Sequence, residues 1–83
     1  MDYTKYEHKL PYILRSKNQD DYDAYRAEER YLVEMFKQDL FNDLGIADNP
    51  KRDKLFAIAW DMGHSSGYSE VYNYACELVV LIV

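Results

Sequence analysis

Between two apolar stretches, Leu55-Phe56-Ala57-Ile58-Ala59-Trp60 and Val71-Tyr72-Asn73-Tyr74-Ala75-Cys76-Glu77-Leu78, the chain places Gly63-His64-Ser65-Ser66-Gly67. A loop there leaves two short apolar fragments. A helix through it carries two glycines, each costing about 0.5–1 kcal/mol relative to alanine. The helical period runs on both sides, so the pattern predicts one continuous helix in which the glycines form a notch. Something must approach that backbone closely: either the bulky side chains of a partner helix, or a ligand lined by His64, Ser65, Ser66 and Ser69.

The rest of the chain reads as helix as well. Asn18 or Asp20 can cap a long helix over residues 19–44, with Asp20, Asp21 and Asp23 at its positive end and Gly45 as a left-handed stop. Ile46-Ala47-Asp48 makes a turn, and Asp48 or Asn49 caps a second helix, with Pro50 in the first turn where a missing N–H is harmless. Taken to Ile82, residues 50–82 would span on the order of 50 Å. The expected fold class is all-α: an N-terminal segment or short helix (1–18), then two long antiparallel helices forming a hairpin.

Wheel placement sorts the faces. On the first helix Tyr22, Tyr25, Leu32, Val33, Phe36, Leu40 and Leu44 make one stripe, with Glu29 among them, a carboxylate that needs a partner if buried or water if not. On the second helix Phe56, Trp60, Gly63, Gly67, Val71, Tyr74, Leu78 and Leu81 occupy one face. Ile58, Met62, Ser65, Ser69, Tyr72, Cys76, Val79 and Val83 occupy another. A two-helix hairpin covers only one of these, so the second, through Ile58, Met62, Tyr72, Cys76, Val79 and Val83, is expected to bury against further copies. Eighty-three residues are also few for a self-sufficient core.

Several chemistries are disfavoured. A lone Cys76 permits no internal disulfide, and with two separated histidines there is no metal-ligand spacing, so neither metal nor cofactor is expected. Adjacent His64, Ser65 and Ser66 point about 100° apart on a helix and form no nucleophile–base pair, so the chain is read as no enzyme. A net charge of −5 argues against duplex nucleic acid. The polar start and the short apolar run at Leu78–Val83 are read as no signal peptide and no membrane span, which places the expected protein in the cytoplasm.

Charge is unevenly spread. Residues 1–19 carry Lys5, Lys9, Arg15 and Lys17 against Asp2 and Glu7, for +2, whereas residues 20–49 carry three basic against nine acidic groups, for −6. The basic arm also holds Tyr3, Tyr6 and Tyr12. Such an arm can stack a base and neutralise a phosphate, or pair with the acidic helix of a neighbouring subunit.

The string Ala59-Trp60-Asp61-Met62-Gly63-His64-Ser65-Ser66-Gly67-Tyr68-Ser69-Glu70-Val71, followed by Tyr74 and Leu78-Val79-x-Leu81-Ile82, resembles the C-terminal helix of small tailed-bacteriophage proteins. The predicted architecture is similar to that of the anti-CBASS sponges, homohexamers that sequester cyclic oligonucleotide signals between protomers. That resemblance implies a tyrosine stacked on a base and a lysine on a phosphate, with Tyr3, Tyr6 or Tyr12 and Lys5, Lys9 or Lys17 as candidates here. It implies an anti-defence protein in the host cytoplasm that binds a cyclic di- or trinucleotide; with the notch residues His64, Ser65, Ser66 and Ser69 as a candidate ligand lining, the expected binding set is Tyr6, Lys9, Tyr12, Lys17, His64, Ser65, Ser66 and Ser69. The alternative reading is an acidic protein-binding inhibitor, of the anti-CRISPR or polymerase-inhibitor kind, presenting Asp20, Asp21, Asp23, Glu28, Asp39 and Asp43 as a nucleic-acid mimic.

Overall fold

The computed structural model describes residues 1–10 and 19–81, all helix, turn and coil with no strand among them. A 3-10 turn at Thr4–Tyr6 is followed by α1 (Gln19–Leu44), α2 (Pro50–Gly63), α3 (Tyr68–Leu78) and a second 3-10 turn at Val79–Leu81. Two compact units divide the chain, one over Asp2–Gln38 and one from Asp39 onward. Each carries its own buried residues, and α1 contributes to both.

Local chemistry accounts for the joint between α1 and α2. Gly45 adopts φ 71°, and the last carbonyls of α1 are met by Ile46 N–H donating to Phe41 O (2.9 Å) and Gly45 N–H donating to Asn42 O (3.2 Å). This is a Schellman stop, which glycine enters without steric penalty. Asn49 then caps α2, its Oδ1 accepting from Lys51 N (2.9 Å) and Arg52 N (3.1 Å), with Pro50 at the first helical position. Both ends lie where the residue types place them. Asp20 and Asp21 sit in the first turn of α1, and Asn18 lies outside the described residues.

The continuous second helix is corrected. Residues 50–82 do not run as one rod: α2 stops at Gly63, the chain turns through His64–Ser66, and α3 restarts after Gly67, which stands at φ 117°, ψ 175°. That backbone region is open in practice only to glycine. The reversal folds α3 back on α2, so the hairpin of this chain is α2–α3. Gly63 is where they touch, because a Cβ built there would lie 2.7 Å from Val71 N and 2.9 Å from Glu70 C. Ala59, Gly63, Val71 and Ala75 are all buried. Breaking the helix thus lets small residues from both halves face each other, which an unbroken rod could not do.

The C-terminal unit is closed by Leu40 and Phe41 of α1, both fully buried, with Leu55 and Phe56 of α2. Phe41 meets Phe56 edge-on at 6.3 Å. Arg52 is 5% exposed. Its guanidinium lies 5.0 Å from the Phe41 ring centre, Nη1 donates to Ile46 O (3.1 Å) and Nε stands 3.4 Å from Asp48. A cation is tolerated there because it caps the Gly45–Asp48 turn and rests on an aromatic face.

Tyr72 of α3, expected at a subunit surface, is half-buried in its own unit and donates its hydroxyl to Asp43 at the end of α1. The hydrogen bond to the carboxylate, with burial adding to it, pushes the phenol well above its ordinary value of 10.0. A raised value in the folded state means that this stabilisation is intact below pH about 10 and is lost as the pH rises further. In alkaline titrations followed by circular dichroism, the wild-type chain should therefore lose stability more steeply above that pH than Tyr72→Phe. Equal slopes would show that the hydroxyl contributes nothing.

Candidate functional site

In the N-terminal unit a short arm is fastened to α1. Asp2 precedes the first 3-10 turn, its Oδ1 accepting from Thr4 N (3.0 Å) and Thr4 Oγ1 (2.7 Å), and these bonds hold the carboxyl below the ordinary aspartate range. Tyr6, 1% exposed, presses its ring edge-on against Phe36 at 5.2 Å, with Tyr3 at 6.4 Å from the same ring. Further along, Glu28 of α1 collects the arm: its Oε1 accepts from Lys9 N (2.5 Å) and Leu10 N (3.3 Å) and lies 3.3 Å from His8 Nδ1. The His8 ring stacks on Tyr25 at 4.2 Å and 11°. The carboxylate thus holds the arm through two backbone N–H groups.

That anchoring shapes a groove of about 360 Å³ over the middle of α1. Lys5 and Lys9 line it as cations, Glu7 and Glu28 as carboxylates, Leu32 and Met35 as apolar surface, and Tyr31, 67% exposed, as a free-standing ring. Glu28 already serves the arm's backbone. The groove thus presents the Tyr31 ring, the Lys9 ammonium, the Lys5 ammonium, which also lies 5.4 Å over the Tyr6 ring, and the Glu7 carboxylate.

Of the residues expected to bind ligand, Lys9 lies in this groove. Tyr6 does not serve as expected, and this is a correction: its ring is spent inside the unit against Phe36, and no base can stack on a face that is already buried. The exposed tyrosine of this groove is Tyr31. Nothing marked it beforehand except its place beside the apolar stripe, three residues after Glu28. Tyr12 and Lys17 lie outside the described residues, as does Val83. Glu29, at the angular centre of the stripe, is exposed, its carboxylate in water beside Tyr22, Tyr25 and Arg26.

His64, Ser65, Ser66 and Ser69 belong to the C-terminal unit, at the α2–α3 reversal. Trp60 stacks on Phe56 (5.9 Å) and on His64 (5.6 Å, 14°), with Tyr68 tilted at 6.0 Å. The His64 Nδ1 is 2.8 Å from Trp60 O; a carbonyl only accepts, so Nδ1 is the donor in this contact. Ser65, Ser66 and Ser69 are exposed, and Ser66 N–H closes the turn onto Gly63 O (3.0 Å). The glycines do not form a notch inside a helix, as the sequence pattern predicts. They end one helix and begin another. Of the expected subunit-facing residues, Ile58 and Met62 are half exposed, while Cys76 and Val79 are intermediate.

No three histidine, cysteine, aspartate or glutamate side chains gather to hold a metal among the described residues, and no described helix is long and apolar enough to cross a membrane. Fold and site together define a small all-helical protein whose N-terminal arm is fastened to its longest helix beside a lysine- and tyrosine-lined groove. The chain belongs to a family of unknown function (DUF8546), which it matches over residues 2–83. No curated protein and no solved structure matches it.

Proposed function

We propose that this protein is a non-enzymatic phage counter-defence protein of the infected cell's cytoplasm, self-associating, that sequesters a cyclic oligonucleotide signal. The observation that carries the reading is the groove in which Lys5 and Lys9 stand beside the exposed Tyr31. Tyr31 stacks a base, the two ammonium groups meet phosphate, and the apolar surface of Leu32 and Met35 supports the sugar edge. At about 360 Å³ the groove lies at the small end of ligand sites, enough for part of a cyclic dinucleotide. A second copy supplies the remaining contacts, which is the role of self-association in this reading.

Calorimetry against a panel of cyclic di- and trinucleotides tests it. One member should bind. Tyr31→Ala should weaken that binding by about 1–3 kcal/mol, the usual worth of a base–aromatic stack, and Lys9→Glu should weaken it further at low salt than at high. Tyr6→Phe should leave it unchanged. Absence of heat with every member of the panel sinks the proposal.

A second reading has its own observation: residues 19–24, with Asp20, Asp21 and Asp23, are all exposed, an acidic helix end open to a basic partner. Of the other carboxylates named for nucleic-acid mimicry, Glu28, Asp39 and Asp43 are not clustered with this helix end, and Asp23 within it accepts from Gln19 Nε2 (2.9 Å), so an inhibitor of this kind would act mainly through the exposed charge of the α1 start. Neutralising Asp20, Asp21 and Asp23 should abolish capture of a basic partner, and unchanged capture counts against this reading.

A further inference from the structure

The C-terminal unit carries an aliphatic groove that its own side chains do not fill. Leu55 and Ile58 of α2 and Leu78 and Leu81 from the end of the chain line about 250 Å³, and Lys51 and Lys54 stand at its margin. Apolar surface continues outside it, with Val80 71% exposed and Met62 51% exposed. The charge around it is the informative part. From Asp39 onward the sequence holds seven acidic residues and only three basic ones, Lys51, Arg52 and Lys54. Arg52 is buried under the Gly45–Asp48 turn, so both exposed cations of this acidic unit border its aliphatic groove. Such a surface selects a partner segment that is acidic and carries an apolar knob.

The chain itself contains that segment. The first turns of α1, residues 19–24, are exposed throughout and hold Asp20, Asp21 and Asp23 around Tyr22, itself 39% exposed. We infer that the lysine-bordered groove of one copy receives the acidic first turns of α1, with Tyr22 as the knob, from a second copy. The contact is heterologous, groove to helix end, so each copy offers both halves and association proceeds head to tail. It rests on the self-association proposed above and adds the surfaces; it does not depend on the nucleotide.

A charge exchange tests it on the full chain, since all five exchanged residues are exposed. One variant carries Lys51→Glu with Lys54→Glu, and the other carries Asp20→Lys, Asp21→Lys and Asp23→Lys. Sedimentation velocity at low salt should show the wild type associated and each variant alone weakened by about tenfold or more, because like charges then face each other. An equimolar mixture should associate again, since every groove then meets an α1 end of opposite sign. Helical circular dichroism of each variant confirms that folding is retained. Self-association of the aspartate variant at wild-type strength overturns the pairing, because two grooves facing each other would be untouched by it; so does a mixture that stays dissociated. A monomeric wild type overturns self-association itself, while calorimetry with cyclic nucleotides reports separately on the ligand.

Discussion

Gly63→Ala is expected to separate α3 from α2. The added methyl would lie 2.7 Å from Val71 N, 2.9 Å from Glu70 C and 3.0 Å from Val71 Cα, all of them backbone atoms. A side chain in the way can rotate; a helix backbone must move as a body. Overpacking of this kind costs about 1–3 kcal/mol, and a rigid obstacle places Gly63→Ala toward the upper end. In a chain of this length each kcal/mol moves the melting midpoint by roughly 4–8 °C, so thermal unfolding at 222 nm should show a large downward shift. An unchanged midpoint would mean that the two helices do not approach as described.

Gly67→Ala makes a useful contrast because the mechanism differs. Nothing lies within 4 Å of a Cβ at Gly67, and the penalty there comes only from φ 117°. A D-alanine, which favours that region, should be tolerated at position 67 and not at Gly63.

The second large effect is expected at Phe41→Ala. Phe41 is fully buried, sits edge-on to Phe56 and supports the Arg52 guanidinium at 5.0 Å. Truncating a buried phenylalanine typically costs about 3–5 kcal/mol, from lost transfer energy and the cavity left behind. Here the ring also supports a buried cation, which would lose its aromatic face. Against a total stability of about 5–15 kcal/mol, and toward the low end for so small a chain, Phe41→Ala should leave a substantial unfolded fraction. Urea titration measures this, with Tyr31→Ala, exposed at position 31, as the control expected to stay within about 0.5 kcal/mol of wild type. Equal midpoints for the two variants would show that Phe41 is not part of the core.

Phe41 also shows why part of the core was not legible beforehand. Its neighbour Leu40 occupies the predicted stripe of α1, and Phe41 falls about 100° away, outside it. Only the return of α2 and the turn at Ile46–Asn49 gives that flank something to bury against. Arg52 has the same origin, since a cation is assigned to the surface until a turn carbonyl and an aromatic ring are known to meet it. In the candidate site, Lys9 was visible as charge on a basic arm. Tyr31 was visible only as a tyrosine of α1 lying beside the apolar stripe, and its place in a groove depends on the arm that Glu28 fastens alongside.

The break between α2 and α3 is the clearest case of a tertiary decision. Gly63 and Gly67 are spaced so that helical phase survives between them, and periodicity alone therefore favours an unbroken rod. The rod gives way to a reversal that packs the two halves of the segment on each other. Reversal at Gly67 brings Val71 and Ala75 into the interior with Ala59 and Gly63. The sequence by itself determined the helical class and the stop at Gly45 with the restart at Asn49–Pro50, because each depends on groups within a few residues. It also determined that the chain is acidic with a basic arm. Tertiary structure alone decided where the second half folds back, which tyrosine faces solvent, and which lysines border an open groove, because those depend on contacts between residues far apart in the chain.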